Sequence, residues 1–303
     1  MIFDSILNWL GALPGAAAQG MVWGIMAIGV YITYKILDIA DLTVDGSICT
    51  GGAVCAVLVT NGVNIWLAIL AAVAAGMIAG AITGCLHTFM GIPAILAGIL
   101  TQLMLWSINL KIMGKANVAL PVRNYELMIA QIKTVQSILV LLAFVAVLII
   151  LLYGFFGTEI GNALRATGNN LNMSRAQGIN TDFTKIFGLV ISNGIVALSG
   201  ALLSQYQGFA DISMGRGAIV IGLAAVIIGE AVISKISQNF AVRLLGVIIG
   251  GVIYYFVYQT VIFLGLDADL LKMLSAIVVA IFLAVPYWKK KYFTKAKGGR
   301  KNA

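Results

Sequence analysis

The sequence predicts an all-α polytopic membrane protein of about nine helices, organised as two inverted four-helix repeats around a connecting helix. Three observations carry that expectation. Of the 303 residues, 61% are hydrophobic and only 10% charged, against about 25% charged in soluble domains. Apolar runs recur near the roughly 20 residues that an about 30 Å hydrocarbon core requires of a helix. The third observation is internal symmetry. Gly24 to Ser47, GIMAIGVYITYKILDIADLTVDGS, aligns without a gap on Gly194 to Gly217, GIVALSGALLSQYQGFADISMGRG, setting Ala27 on Ala197, Ala40 on Ala210 and Asp41 on Asp211. Each copy reads as one membrane-length helix ending in Ala-Asp-(Leu/Ile)-(Thr/Ser), followed by glycine and another apolar run. Matching interruptions of this kind are what chains built from two related transmembrane halves look like.

Taken in order, the first dozen residues, MIFDSILNWLGA, lack a basic n-region and a cleavage site. They read as a short amphipathic segment at the interface, anchored by Trp9. The first span is expected at about Gly15 to Leu37. The second, about Ser47 to Thr60, is short enough to be broken or partly re-entrant. The third is about Val63 to Cys85 and the fourth about Ile92 to Leu110, entered through Gly91-Ile92-Pro93. A polar stretch from Lys111 to Gln136 holds Pro121 and an amphipathic piece around Tyr125 to Ile132. The fifth span, about Ser137 to Phe156, is the connector. After the polar loop Gly157 to Lys185 come the sixth at about Ile186 to Gly208 and the seventh at about Ala218 to Ile233, short like the second. The eighth is about Leu244 to Leu264 and the ninth about Leu270 to Trp288. The whole is one transmembrane domain, with repeats over about 15–110 and 186–288.

The formal net charge of +8 is concentrated at the end of the chain, in Lys289, Lys290, Lys291, Lys295, Lys297, Arg300 and Lys301. A basic tail held in the cytoplasm explains it better than a nucleic-acid surface. With that tail inside, nine crossings leave the N-terminus outside. The loops carrying Arg165, Arg175 and Lys185, and Lys235 and Arg243, then also fall inside. The loop with Lys111, Lys115, Arg123 and Lys133 disagrees and is outvoted.

A helix that stops within a bilayer leaves backbone groups unpaired, and such breaks survive only where they are packed in protein or line a watery cavity. The breaks at Asp41 to Ser47 and at Asp211 to Arg216 are therefore candidate pathway elements, contributing Asp41, Thr43, Asp45, Ser47, Asp211 and Ser213; ordinary polar turns at the membrane surface are the competing reading. Within helices, Glu230 is an expensive carboxylate and a candidate by default; an interfacial, solvated Glu at the inner helix end is the competing reading. Gln102, Ser107 and Asn109 on the fourth span, Asn193 and Gln205 on the sixth, and Tyr254, Tyr258 and Gln259 on the eighth could line a cavity. Helix-to-helix hydrogen bonding explains them equally well.

The loop GTEIGNALRATGNNLNMSRAQGINTDF mixes helix formers with Gly161, Gly168 and Gly178. Two short helices joined by a Gly-Asn-Asn turn would make a rigid docking knob on the cytoplasmic face, with Asn180 or Thr181 capping the next helix. Enzymatic chemistry has little material. His87 is the only histidine, the cysteines Cys49, Cys55 and Cys85 form no CxxC pair, and no GxxxxGK[ST] phosphate loop is present.

The stretch Arg165-Ala-Thr-Gly-Asn-Asn-Leu-Asn-Met-Ser-Arg-Ala-Gln-Gly-Ile-Asn-Thr resembles the cytoplasmic loop of permease subunits of branched-chain amino acid and ribose-type ABC importers. Asp41-Leu-Thr-Val-Asp-Gly-Ser is similar to a turn of the sugar permeases, with Asp45 as one residue more. Gly178 to Glu230 looks closest to the subgroup paired with a lipoprotein binding protein and linked to aromatic amino acid (tryptophan or tyrosine) uptake. The resemblance implies a permease dimer in the bacterial cytoplasmic membrane, two ATPase subunits beneath it that carry ATP and Mg, and an external solute-binding protein. It implies that Arg165, Ala166, Gly168, Asn169, Asn170, Met173, Arg175, Gly178 and Ile179 couple to the ATPase, with Asn169, Asn170 and Met173 entering its groove. Asp45 and Glu230 depart from the sugar-type pattern. An ion- or proton-coupled secondary transporter using Asp41, Asp211 and Glu230, or an ABC permease for a sugar, are the alternatives.

Overall fold

The computed structural model describes residues 2–121, 125, 127–233 and 239–263, with 273, 276–277, 280–281 and 284 as isolated positions. The ninth expected span falls almost wholly outside the described residues, and the basic tail lies outside them. Ten α-helices make up the described chain: α1 Ile2–Tyr31, α2 Val44–Thr60, α3 Ile65–Thr88, α4 Ala94–Met113, α5 Thr134–Phe155, α6 Glu159–Asn169, α7 Leu171–Ala176, α8 Thr181–Gln207, α9 Ala218–Ile233 and α10 Phe240–Phe263. A π-helical turn, Ile32–Ile36, extends α1. Two three-residue strands, β1 Asn117–Ala119 and β2 Phe209–Asp211, pair antiparallel. Among the described residues six helices are long and apolar enough to cross a membrane, while α2 and α9 are shorter. At 1.5 Å per residue these two are about 25 Å long, less than a hydrocarbon core.

One expectation is corrected at the N-terminus. The first dozen residues are not a separate segment but the opening turns of α1, which runs on through Pro14. Pro14 lies more than three turns into α1, where its missing N–H removes one i→i−4 bond from the helix. Likewise α8 starts at Thr181 rather than near Ile186, because the side chain of Asn180 accepts from the amide of Phe183 and caps a first turn too polar for hydropathy to count.

α8 is the axis of the bundle. Ser192 Oγ donates to the Gly29 carbonyl, Ser199 Oγ to Val22 and the Tyr206 hydroxyl to Gly15, so α1 lies antiparallel along it. Its other flank is taken by α3, whose Gly76, Gly80 and Gly84 sit against Asn193, Leu189 and Ile186; a Cβ at any of the three would collide. Stripes of small residues let helix backbones approach in this way. α9 and α10 close the bundle through Gly229 against Gly246 and Gly250 against Ala225. By contrast α3, α4 and α5 carry exposed Leu67, Leu70, Ile78, Leu103, Leu139 and Ile150, an outward surface suited to lipid tails.

Candidate functional site

Asn193, fully buried midway along α8, accepts from Ser47 Oγ at 2.6 Å through its Oδ1 and donates through Nδ2 to Asp41 Oδ2 at 2.7 Å. It lies about 18 Å along α8 from Thr181, so α2 begins inside the bundle and not at its end. Asp41 Oδ1 accepts the Thr43 amide, and the hydroxyls of Thr43, Thr83 and Thr101 form a chain at 2.7 and 2.9 Å. Asp41, Thr43, Ser47 and Asn193 thus form one closed polar cluster rather than a surface turn. From there α2 runs toward the sheet end of α8, where Gln205 Nε2 reaches Cys55 Sγ at 3.6 Å.

Asp45, in the first turn of α2, accepts the amides of Gly217 and Ile219, both at 2.9 Å. A carboxylate over free amides is the favourable charge for a helix start. α9 therefore also begins at mid-bundle and runs the opposite way, to Glu230, which pairs with Lys35 at 3.1 Å. Two half-length helices meet N-terminus to N-terminus at Asp45.

Beside this junction is a cavity of about 310 Å³, lined by Asp45, Gly46, Cys49, Gln102, Leu103, Trp106, Asn109, Ile212 and Arg216. The guanidinium of Arg216 stands 4.9 Å from the centre of the Trp106 ring. Asn109 is buried, and its Oδ1 has no hydrogen-bond partner. Asp45, Gln102 and Asn109 were legible as polar candidates, whereas Trp106 was not. The signal for it was spacing: 102, 106 and 109 share one face of α4.

The remaining candidates are dispersed. Asp211 and Ser213 bond each other at the sheet end, with Asn117 Nδ2 at 3.4 Å from Asp211. Partial burial pushes the Asp211 carboxyl up, but the bonds from Ser213 and Asn117 and the charge of Arg216 outweigh it and hold it below its ordinary range. Gln205 is buried with Oε1 unpartnered. Glu230 is partly exposed in its pair with Lys35, which is the interfacial reading of that residue. Among the described residues no three His, Cys, Asp or Glu side chains are grouped as a metal site.

At the Glu230 end, α6 and α7 form the expected pair of short helices. Thr158 caps α6 on the Gly161 amide at 3.3 Å, and Asn170, in the turn, caps α7 on Met173 at 3.0 Å. Gly178, at φ +81°, closes the segment before Ile179. Arg165 lies over the rings of Phe156 and Phe240 at 5.1 and 4.5 Å. Arg175 reaches Thr181 Oγ1 at 2.9 Å and Asp182 at 3.5 Å. Gly168, next to Asn169, faces the carbonyl of Ile36, where a Cβ would collide. Ala166 is partly buried; Asn169, Asn170 and Met173 are exposed. The hairpin thus touches the π-helical turn only a few residues before the Asp41 cluster, and Asp38 between them holds a left-handed φ of +55°.

Residues 13–285 match the family described as branched-chain amino acid transport system / permease component. The chain belongs to this permease family. It is an ABC transporter permease, an integral membrane protein whose family role is transport. It is 42% identical, over 91% of each chain, to the tyrosine transport system permease protein of Clostridioides difficile. An uncharacterised protein of Rickettsia prowazekii is 34% identical over 91% of this permease and 98% of its own length. The fructose import permease of Bifidobacterium longum is 27% identical over 80% of this permease and 68% of its own length. No solved structure matches.

Proposed function

We propose that this permease forms the alternating-access pathway of an ATP-driven importer for an amino acid, aromatic by preference. ATP and Mg would be held by a separate cytoplasmic ATPase dimer and the solute delivered by an external binding lipoprotein. A second copy of the permease would complete the pathway in the bacterial cytoplasmic membrane, with the C-terminus inside and the N-terminus outside. The amino-acid reading is supported by the relative named for tyrosine transport.

The observation that carries the mechanism is Gly168 against the Ile36 carbonyl. The hairpin offers Asn169, Asn170 and Met173 outward to an ATPase, and its inner side abuts the turn that leads into the Asp41–Asn193–Ser47 cluster. When ATP closes the ATPase dimer, a shift of α6 would pass through Ile36 to the base of α2, and through Asp45 to α9. Inverted halves built on α1–α2 and α8–α9 supply the two packings between which such a push chooses.

The test is uptake of radiolabelled tyrosine by the reconstituted complex of permease, ATPase and binding protein. Uptake is expected to require ATP and to survive collapse of ion and proton gradients. Uptake that follows a gradient without ATP would favour the secondary-transporter reading, and transport of fructose but not tyrosine the sugar reading.

A further inference from the structure

We propose that the cavity between α2, α4 and the α8–α9 link is itself a binding site for a free zwitterionic amino acid with an aromatic side chain. This rests on the amino-acid reading above and adds to it a specific site within the permease.

The cavity's lining has three chemistries in one small space. Arg216 supplies a positive charge that has no carboxylate within ion-pair distance among the described residues; the indole of Trp106 holds it instead. Asp45 supplies a carboxylate that accepts the amides of Gly217 and Ile219, with that of Ala218 beside them, and of its roughly four acceptor sites at least one is left for a further donor. Asn109 adds a buried carbonyl oxygen without a partner, an arrangement that costs free energy until something donates to it. Trp106 and Ile212 complete the lining as apolar surface.

Separated opposite charges with an apolar wall are wasted on a neutral sugar, whose hydroxyls neutralise neither. A lone cation would leave the charge of Arg216 unmatched and be repelled by it. An α-amino acid uses each of these groups: its carboxylate goes to Arg216 and the Gln102 amide, its ammonium to Asp45 and Asn109, and its ring to Trp106. At about 310 Å³ the cavity is at the small end of ligand sites, of a size for one amino acid rather than a peptide. Since Asp45 belongs to α2 and Arg216 to the link into α9, the ligand bridges both half-helices at their junction. Its arrival and departure thereby bias the element that the hairpin moves.

The experiment measures binding of tritiated L-tyrosine to the full-length permease in lipid nanodiscs, without binding protein. Competitors are L-tryptophan, tyramine, 3-(4-hydroxyphenyl)propionate and D-fructose. Tyrosine and tryptophan are expected to compete. Tyramine, lacking the carboxylate, and the propionate, lacking the ammonium, should each be weaker by about tenfold or more. Arg216→Gln should weaken tyrosine by about tenfold while leaving tyramine unchanged, and Trp106→Leu should weaken tyrosine more than alanine. Gln102→Ala, at a half-buried position, should cost about two- to tenfold. Variants are compared as monodisperse protein. Tyrosine binding untouched by all three substitutions, or tyramine competing as well as tyrosine, overturns the site. No binding by a permease whose complete transporter still takes up tyrosine overturns the site and leaves the amino-acid reading standing. Uptake of fructose and not tyrosine by the complete transporter removes both.

Discussion

The α6–α7 hairpin and the α2–α9 junction are both polar interruptions in an apolar chain, yet they are held by opposite kinds of contact. Every cap in the hairpin segment joins residues three apart: Thr158 to Gly161, Asn170 to Met173, Asn180 to Phe183. In the junction the bonds span 146 residues from Ser47 to Asn193, 152 from Asp41 to Asn193, and 172 and 174 from Asp45 to Gly217 and Ile219. A locally capped unit keeps its shape when pushed. A junction tied mainly at long range, with the Thr43 amide on Asp41 as its local bond, changes when the parts it ties move relative to one another. The difference suits the first to receive force and the second to respond.

The largest expected effect is therefore at Asp45. Asp45→Ala removes one carboxylate from two amides at the start of α9, where bonds to a charged acceptor are worth about 1.5–3 kcal/mol each. Uptake should be abolished and the thermal midpoint of the purified permease lowered by several degrees. Asp45→Asn, which keeps one acceptor oxygen, should fall between. An Ala variant with wild-type uptake and midpoint would mean that the half-helices do not depend on this tie.

Next in size is Gly168→Leu. A side chain there meets the Ile36 carbonyl, and overpacking of this kind costs about 1–3 kcal/mol. The contact, not the fold, is what should yield: ATP hydrolysis by the assembled complex is expected to persist while tyrosine uptake falls by about tenfold or more. Equal loss of both would place the defect in assembly, and no loss in either would break the link drawn between hairpin and junction.

The same contrast explains what the sequence displayed. The hairpin was readable because a cap and its amide are neighbours in the chain: the Asn180 cap stands where expected, and the Gly-Asn-Asn turn is narrowed to Asn170, since Gly168 and Asn169 close α6. The short seventh span matches α9 to the residue, since a membrane helix declares itself by an unbroken apolar run. The positions of Asp41, Asp45 and Asn193 as polar candidates were equally visible, but not their partition into a packed cluster and a cavity wall. That partition depends on α8 lying between α1 and α3, which is set by glycines meeting backbone across the bundle. Trp106 was hidden for another reason, because an aromatic in an apolar helix carries no polar mark until Arg216 is found over it. The β1–β2 pairing joins residues far apart in sequence through three-residue strands too short for any alternation to show.

Within the hairpin, Asn170→Ala should be mild. It removes a single exposed cap, worth about 1 kcal/mol, from a six-residue helix also held by the Ser174 hydroxyl on the Asn170 carbonyl at 2.9 Å. Faster amide exchange confined to residues 171–176 is expected, with the global midpoint within a degree or two of wild type. Asn170→Asp, which preserves the acceptor, should restore protection. If exchange instead accelerates around Ser47 and Asn193, the two regions are less separable than their contacts imply.

The smallest effect is expected at Lys35–Glu230, although Glu230 stood out in the sequence as a costly carboxylate in a span beside its interfacial reading. Its side chain is 31% exposed and that of Lys35 46%, and a pair so open to solvent contributes about 0–1 kcal/mol. Glu230→Gln should accordingly leave tyrosine uptake within about twofold of wild type and shift the thermal midpoint little, with the small difference shrinking as salt is raised. A proton- or ion-coupling carboxylate would behave otherwise: its neutral analogue would stop net transport while the protein stayed folded. Measured beside Asp45→Ala, this variant asks whether the carboxylate that matters is the one deep in the apolar sequence or the one that caps a helix start. The geometry favours the second, because Asp45 holds two backbone amides at a helix start, whereas Glu230 meets a half-exposed lysine and solvent.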